Sequence, residues 1–222
     1  MAVDERSPLS DLIRFNWEEN MNQSLVSAIV YIWYPLNGNI GHAAMYIGNP
    51  VFGRITEQAY DSFRNDGVRE RSKELIALHN VNYISWWPAE EKGTPFNKPK
   101  EGRKFFLEDD IKAEDAKPHV VYTLHGLDVQ AMRSAWLSIR SKPDAHYQML
   151  RKSCATVVLR VLKAGGALGK ISLAKRGWYS SNLYVTPKNI AQVCNELRDA
   201  GNADKVKDRD CPEKGAFSFG FR

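Results

Sequence analysis

Cysteine is scarce in this chain of 222 residues: Cys154, Cys194 and Cys211 are the only three, and no two of them form a CxxC pair. An odd set without paired spacing excludes a closed disulfide framework and argues against a structural zinc site. No apolar run approaches the ~20 residues a membrane-spanning helix needs. The first residues, MAVDERSPLSDLIRF, carry acidic side chains and lack the apolar centre of a Sec signal. The expectation is a chain made in the cytoplasm that leaves it, if exported, by a non-Sec route. Lysine and arginine are scattered instead of forming blocks interleaved with aromatics, so no nucleic-acid track is expected. Internal repeats, HExxH, GxSxG and calcium-loop patterns are all missing. AGGALGKIS is near a phosphate loop, but Ala164 stands where the first glycine is required and Ile171 follows Lys170. The expectation is therefore a protein without a metal or cofactor.

What remains is an ordinary globular composition, with 43% hydrophobic residues, 11% aromatic residues and a formal net charge of +5. That length fits one domain spanning 1–222. The charge suits anionic partners, whether membranes or carboxylate-bearing polymers, without selecting among them. Leu9, Leu12, Ile13 and Trp17 give residues 8–20 a weak helical stripe. VSAIVYIWY (26–34), HAAMYIG (42–48), a stretch within FGRITEQAY (52–60), VNYISWW (81–87) and HVVYTLHGL (119–127) read as strands. A helix is predicted from about Asp128, with Asp128 as its cap. A second runs from Ser153 to Gly165, and a third begins at Thr186-Pro187 and stops at Gly201. Residues 51–80 and 89–118 are charged and read as surface insertions, and the tail 202–222 reads as peripheral.

Three positions carry chemistry. Cys154, Val157, Val158, Val161 and Leu162 follow helical spacing, which suits a buried cysteine packed as a small hydrophobe. The same cysteine opens a helix, where unpaired N–H groups and the positive end of the dipole favour a thiolate. A nucleophilic cysteine needs a base from elsewhere in the fold. His42 opens a strand after a glycine-rich turn, with Ala43 and Ala44 leaving room for a helix to approach. On YISWWP, Tyr83, Ser85 and Trp87 share one face, which makes Ser85 the polar position able to orient an imidazole. Glu57 and Gln58 compete for that role. The adjacent carboxylates Glu108, Asp109 and Asp110 read as a solvated face.

GHAAMYIG, YISWWP and SCATVVLRVLKAGG, in that order, resemble the papain-like superfamily of NlpC-type cysteine hydrolases, and more closely its circularly permuted branch, where the histidine strand precedes the cysteine helix. The resemblance implies an α+β papain-like fold with an antiparallel sheet packed against helices. It makes Cys154 the nucleophile, His42 the general base and Ser85 the orienting residue, a place where the superfamily more often has His, Asn, Gln or Glu. Tyr46, Trp86 and Trp87 become candidate walls of the substrate cleft. Relatives of this pattern include antibacterial effectors delivered by type VI secretion, which implies a peptidoglycan stem-peptide amidase or endopeptidase. Its implied partners are an immunity protein and a secretion-apparatus carrier, and it would act in a target cell's envelope. A thioester-forming lipid hydrolase or acyltransferase, in contact with a membrane, and an inert binding module are the alternative expectations.

Overall fold

The computed structural model describes residues 26–36, 40–49, 81–88, 104, 106–142, 146–148, 151–181 and 184–213. The stripe at 8–20, the strand expected within 52–60, and Glu57 and Gln58 lie outside these residues. The architecture is α+β. Five strands form one antiparallel sheet in the order β3-β2-β1-β4-β5: β1 (Val26–Trp33), β2 (His42–Ile47), β3 (Tyr83–Ile84), β4 (Val120–His125) and β5 (Ala203–Lys207). The helices are α1 (Leu107–Glu114), α2 (Val129–Arg140), α3 (Cys154–Ala164), α4 (Leu173–Ser181) and α5 (Pro187–Asp199).

β1 is rich in β-branched and aromatic residues and takes the central place, pairing with β2 on one side and β4 on the other. Alternation then divides the sheet's side chains between two faces. Ala43, Met45 and Ile47 join Val30, Ile32, Tyr122 and Leu124 in the main core, beneath residues of α2, α3 and α5. Ala44 and Tyr46 join Tyr31, Trp33 and Tyr83 in a second cluster, against which Leu107 and Ile111 of α1 pack.

α3 is the central helix of the main core, buried from Cys154 through Leu159 and again at Val161 and Leu162. Its start is fixed by Ser153, whose side chain accepts from the Thr156 N–H. The expected caps of the other two helices are present as well. Asp128 accepts from Ala131 N–H, and Thr186 and Asn189 form a reciprocal capping box with Pro187 in the first turn.

Three features depart from the sequence reading. The strand expected over 81–87 is reduced to Tyr83–Ile84: residues 81–82 are helical, and ladder pairing with β2 ends at Ile84. The excursion 89–118 contains α1, whose three first-turn acids favour the positive helix end. The tail begins inside the sheet: β5 pairs with β4 along its whole length, and its exposed charged residues Asp204 and Lys207 suit an edge strand.

Gly41 precedes the His42 strand with φ +80, and a Cβ there would lie 2.6 Å from the Trp33 carbonyl oxygen. Only glycine lets the chain double back so closely against β1. Gly41→Ala is expected to cost more than about 1–2 kcal/mol, the left-handed penalty alone, and to lower the urea midpoint. An unchanged midpoint would show that the turn relaxes freely.

Candidate active site

The site forms where the end of β2 meets the start of α3. His42 is 2% exposed and lies opposite Trp33 in the β1–β2 register. Its ring is held between two indoles: Trp33 at 5.6 Å and Trp87, stacked at 4.4 Å. Cys154, 6% exposed, is the first residue of α3 and interacts electrostatically with His42.

Behind the imidazole lies a group the sequence reading assigned to solvent. Asp110 of α1 is 0% exposed. Its Oδ2 accepts from the Tyr83 hydroxyl at 2.5 Å, and its Oδ1 accepts from Ser85 Oγ at 2.7 Å and Trp87 Nε1 at 2.7 Å. Oδ1 is also 3.6 Å from His42 Nε2, an ion-pair separation longer than a good hydrogen bond. Ser85 Oγ is nearer, 3.3 Å from His42 Nε2, and accepts from Trp87 Nε1 at 2.9 Å. Because Ser85 donates to Asp110, its oxygen retains lone pairs able to accept from His42 Nε2. Ser85 is thus a relay between the imidazole and the carboxylate that orients it.

Burial alone would lower the His42 pKa, but the Cys154 side chain and the Asp110 carboxylate outweigh it and raise it to about 10. For Asp110, burial pushes the pKa up. The His42 charge and hydrogen bonds from His42, Tyr83 and Ser85 outweigh that and hold it below the ordinary value of 3.8. The arrangement therefore favours an ionised carboxylate and an imidazolium, with Cys154 beside the imidazolium at a helix N-terminus. Cys194, by contrast, is buried in α5, and desolvation drives its pKa strongly upward.

Cys154 opens into a cavity of about 260 Å³ bounded by Pro35, Ile40, Tyr147, Tyr184, Val185 and Pro187, with Ser153, Thr186 and Lys188 as its polar lining. The expected cleft walls are distributed differently. Trp86 is 1% exposed and packs edge-on to Trp136 in the core, while Tyr46 is buried in the second cluster. Neither borders this cavity. Trp87, half-buried, covers His42. Among the described residues, no group of three or more His, Cys, Asp or Glu side chains is arranged to hold a metal ion. No helix among them is long and apolar enough to cross a membrane.

The model of the IcsB middle domain matches residues 100–215, more than half of the 222-residue chain. The chain belongs to the IcsB middle domain family. The segment matched by this family contains Asp110 and Cys154 and ends upstream at residue 100, leaving His42 and Ser85 outside it. Over 104 residues, 44% of the chain, it is also 54% identical to a multifunctional-autoprocessing repeats-in-toxin of Vibrio vulnificus and 42% identical to one of Vibrio cholerae. The chain spans 2% of the length of either toxin.

Asp110 was detectable in one respect: Leu107, Asp110 and Ile111 fall at i, i+3 and i+4, so the carboxylate shares the face that packs on the sheet. Asp110→Asn keeps the shape and removes the charge. The His42 pKa should then fall from about 10 towards its ordinary 6.5, read by NMR titration of the ring. Asp110 contributes stability above 3.8 that is lost as pH falls through its depressed pKa, while the His42 contribution is complete below 6.5 and is lost as pH rises through about 10. At neutral pH the substitution should cost about 3 kcal/mol. An unmoved His42 titration would remove Asp110 from this role.

Proposed function

We propose that this chain is a cysteine-dependent acyl-transfer domain of a toxin-like bacterial effector. The observation that carries the reading is the buried series Cys154, His42, Ser85 and Asp110, with the thiol at a helix N-terminus and open to a cavity. Its order along the chain, histidine before cysteine, agrees with the permuted papain-like pattern that the motifs resemble. The toxin names of the Vibrio relatives support the effector role.

Cys154 Sγ attacks the carbonyl carbon of an acyl donor, and the carbonyl electrons move onto oxygen as a tetrahedral oxyanion. The Cys154 backbone N–H, unpaired in the first turn, donates to that oxyanion. As the carbonyl reforms, the bond to the leaving group breaks, and the His42 imidazolium gives the leaving group its proton. A thioester remains on Cys154. His42, now neutral, takes a proton from the acceptor, water or an amine, which attacks the thioester and releases the thiolate. Ser85 and Asp110 hold the ring through both halves.

The apolar lining of the cavity by Pro35, Ile40, Val185 and Pro187 favours an aliphatic acyl group, which supports the lipid hydrolase or acyltransferase alternative. The membrane is then the source of the donor. A second reading, hydrolysis of peptidoglycan stem-peptide amides, draws on the NlpC-type motif order and on the net charge of +5, suited to a carboxylate-bearing polymer. An immunity protein, a secretion carrier and action in a target cell's envelope belong to that reading.

Incubation with a fatty acyl thioester, followed by intact-protein mass spectrometry, is expected to give a hydroxylamine-labile acyl adduct that is lost in Cys154→Ala. Purified sacculi are expected to release no new amines. Amine release without an acyl adduct would reverse the order of the two readings, and neither product would refute acyl transfer.

A further inference from the structure

One polar group in the cavity is not used by the reaction as described above. Tyr147 lies on the connector between α2 and α3, is 7% exposed, and lines the same cavity as Cys154. Its position is set by a tight chain reversal: Gln148 N–H donates to the Lys152 carbonyl at 3.2 Å, and Lys152 N–H donates to the Gln148 carbonyl at 2.7 Å. The reversal lies immediately before the helix, and Tyr147 and Cys154 both belong to the main core and line the same cavity.

The other hydroxyls of the cavity are committed. Ser153 Oγ caps α3 and contacts Thr156 Oγ1 and the Val185 carbonyl. Thr186 Oγ1 belongs to the α5 capping box, donating to Asn189 Oδ1 at 2.8 Å. Tyr184 is 41% exposed at the rim. The Tyr147 hydroxyl has no hydrogen-bond partner among the described residues, and its electrostatic neighbours are Cys154 and Tyr184. A buried phenol with a free O–H, facing a nucleophile across a small cavity, is suited to receive developing negative charge.

We propose that Tyr147 is a catalytic residue whose hydroxyl donates to the oxyanion formed when Cys154 attacks an acyl carbonyl, alongside the Cys154 backbone N–H. This rests on Cys154 being the acyl-transfer nucleophile. Burial, reinforced by the charge interaction with Cys154, keeps the phenol protonated, so it remains a donor. No proton needs to leave Tyr147: its hydrogen bond strengthens as the carbonyl oxygen becomes an anion and relaxes when the thioester forms.

Two reagents separate this role from a structural one. p-Nitrophenyl butyrate acylates a thiol through a tetrahedral oxyanion and releases p-nitrophenolate. Iodoacetamide alkylates the same thiol by displacing iodide, with no oxyanion. Tyr147→Phe is expected to slow p-nitrophenolate release by about 100-fold or more, while alkylation of Cys154 stays within about two-fold of the parent, a change too small to signal a lost interaction. Release within a few-fold of the parent overturns the proposal. So does a parallel fall in alkylation, which would make Tyr147 a support for the thiol. A loss on Lys188→Met in place of Tyr147→Phe would move the donor to the far side of the cavity and also overturn it. If the parent's Cys154 is alkylated no faster than Cys194 and Cys211, the nucleophile assignment fails and the oxyanion role fails with it.

Discussion

A carboxylate with no exposed surface is the constraint around which this structure is arranged. Removing an ionised group from water costs several kcal/mol unless the protein supplies comparable interactions. Asp110 receives them from four directions: the Tyr83 hydroxyl, the Ser85 hydroxyl, the Trp87 indole and the His42 ring. The first three come from alternate residues of a single short segment, which explains why Tyr83, Ser85 and Trp87 must face the same way even after regular strand pairing has ended at Ile84. α1 must also dock closely enough to deliver the carboxylate. Leu107 and Ile111 pack it against the sheet, and the Trp33 indole donates to the Ala116 carbonyl at 2.7 Å just beyond the helix end. The same tryptophan packs on His42, so the strap that holds α1 also borders the imidazole.

The meeting of Cys154, His42 and Asp110 therefore depends on packing at both faces of one sheet. α3 approaches from the main core and brings Cys154, whereas α1 approaches from the second cluster and brings Asp110. His42 can meet both because it is the first residue of β2, where the strand emerges from the turn at Gly41. A histidine further along β2 would be enclosed by one face alone. The electrostatics follow from this geometry. Burial opposes charge on both His42 and Asp110; Cys154 and Asp110 outweigh that penalty at His42, and His42, Tyr83 and Ser85 outweigh it at Asp110.

The parts of this arrangement legible in the sequence were those governed by local rules. Ser153, Asp128 and Thr186-Pro187 announce their helices because capping is a matter of adjacent residues. β1, β2 and β4 are legible because buried strands are dense in β-branched and aromatic side chains. Asp110 was not legible as a site residue, because its burial is established by Tyr83, Ser85 and Trp87, more than twenty positions away. Among Glu108, Asp109 and Asp110, charge composition is uniform, and only the interval from Leu107 to Ile111 marks which carboxylate turns inward. β5 was hidden for a related reason: an edge strand of sequence ADKVK carries little apolar signal, and its membership of the sheet is decided by pairing with β4. Trp86 illustrates the converse. Adjacent tryptophans look equivalent in sequence, yet Trp86 is buried in the core against Trp136 and Trp87 stacks on the histidine.

The boundary of the family match then acquires a structural meaning. Residues 100–215 carry Asp110, Tyr147 and Cys154, together with β4, β5 and all five helices. They lack His42 and Ser85, which lie on β2 and just after β3. The two portions are joined through the centre of the sheet, where β1 pairs with β4 from Val26–His125 to Ile32–Val120. β2 is hydrogen-bonded to β1 and not to β4, so His42 reaches Cys154 only when that central pairing is in register. A one-residue slip of β1 against β4 would exchange the two faces of the sheet and carry Trp33, the neighbour of both His42 and α1, to the wrong side. The thiol and the carboxylate thus belong to the matched segment, but their chemistry requires the preceding hairpin. The site is a property of the whole sheet, with the β1–β4 register determining whether Cys154, His42 and Asp110 meet.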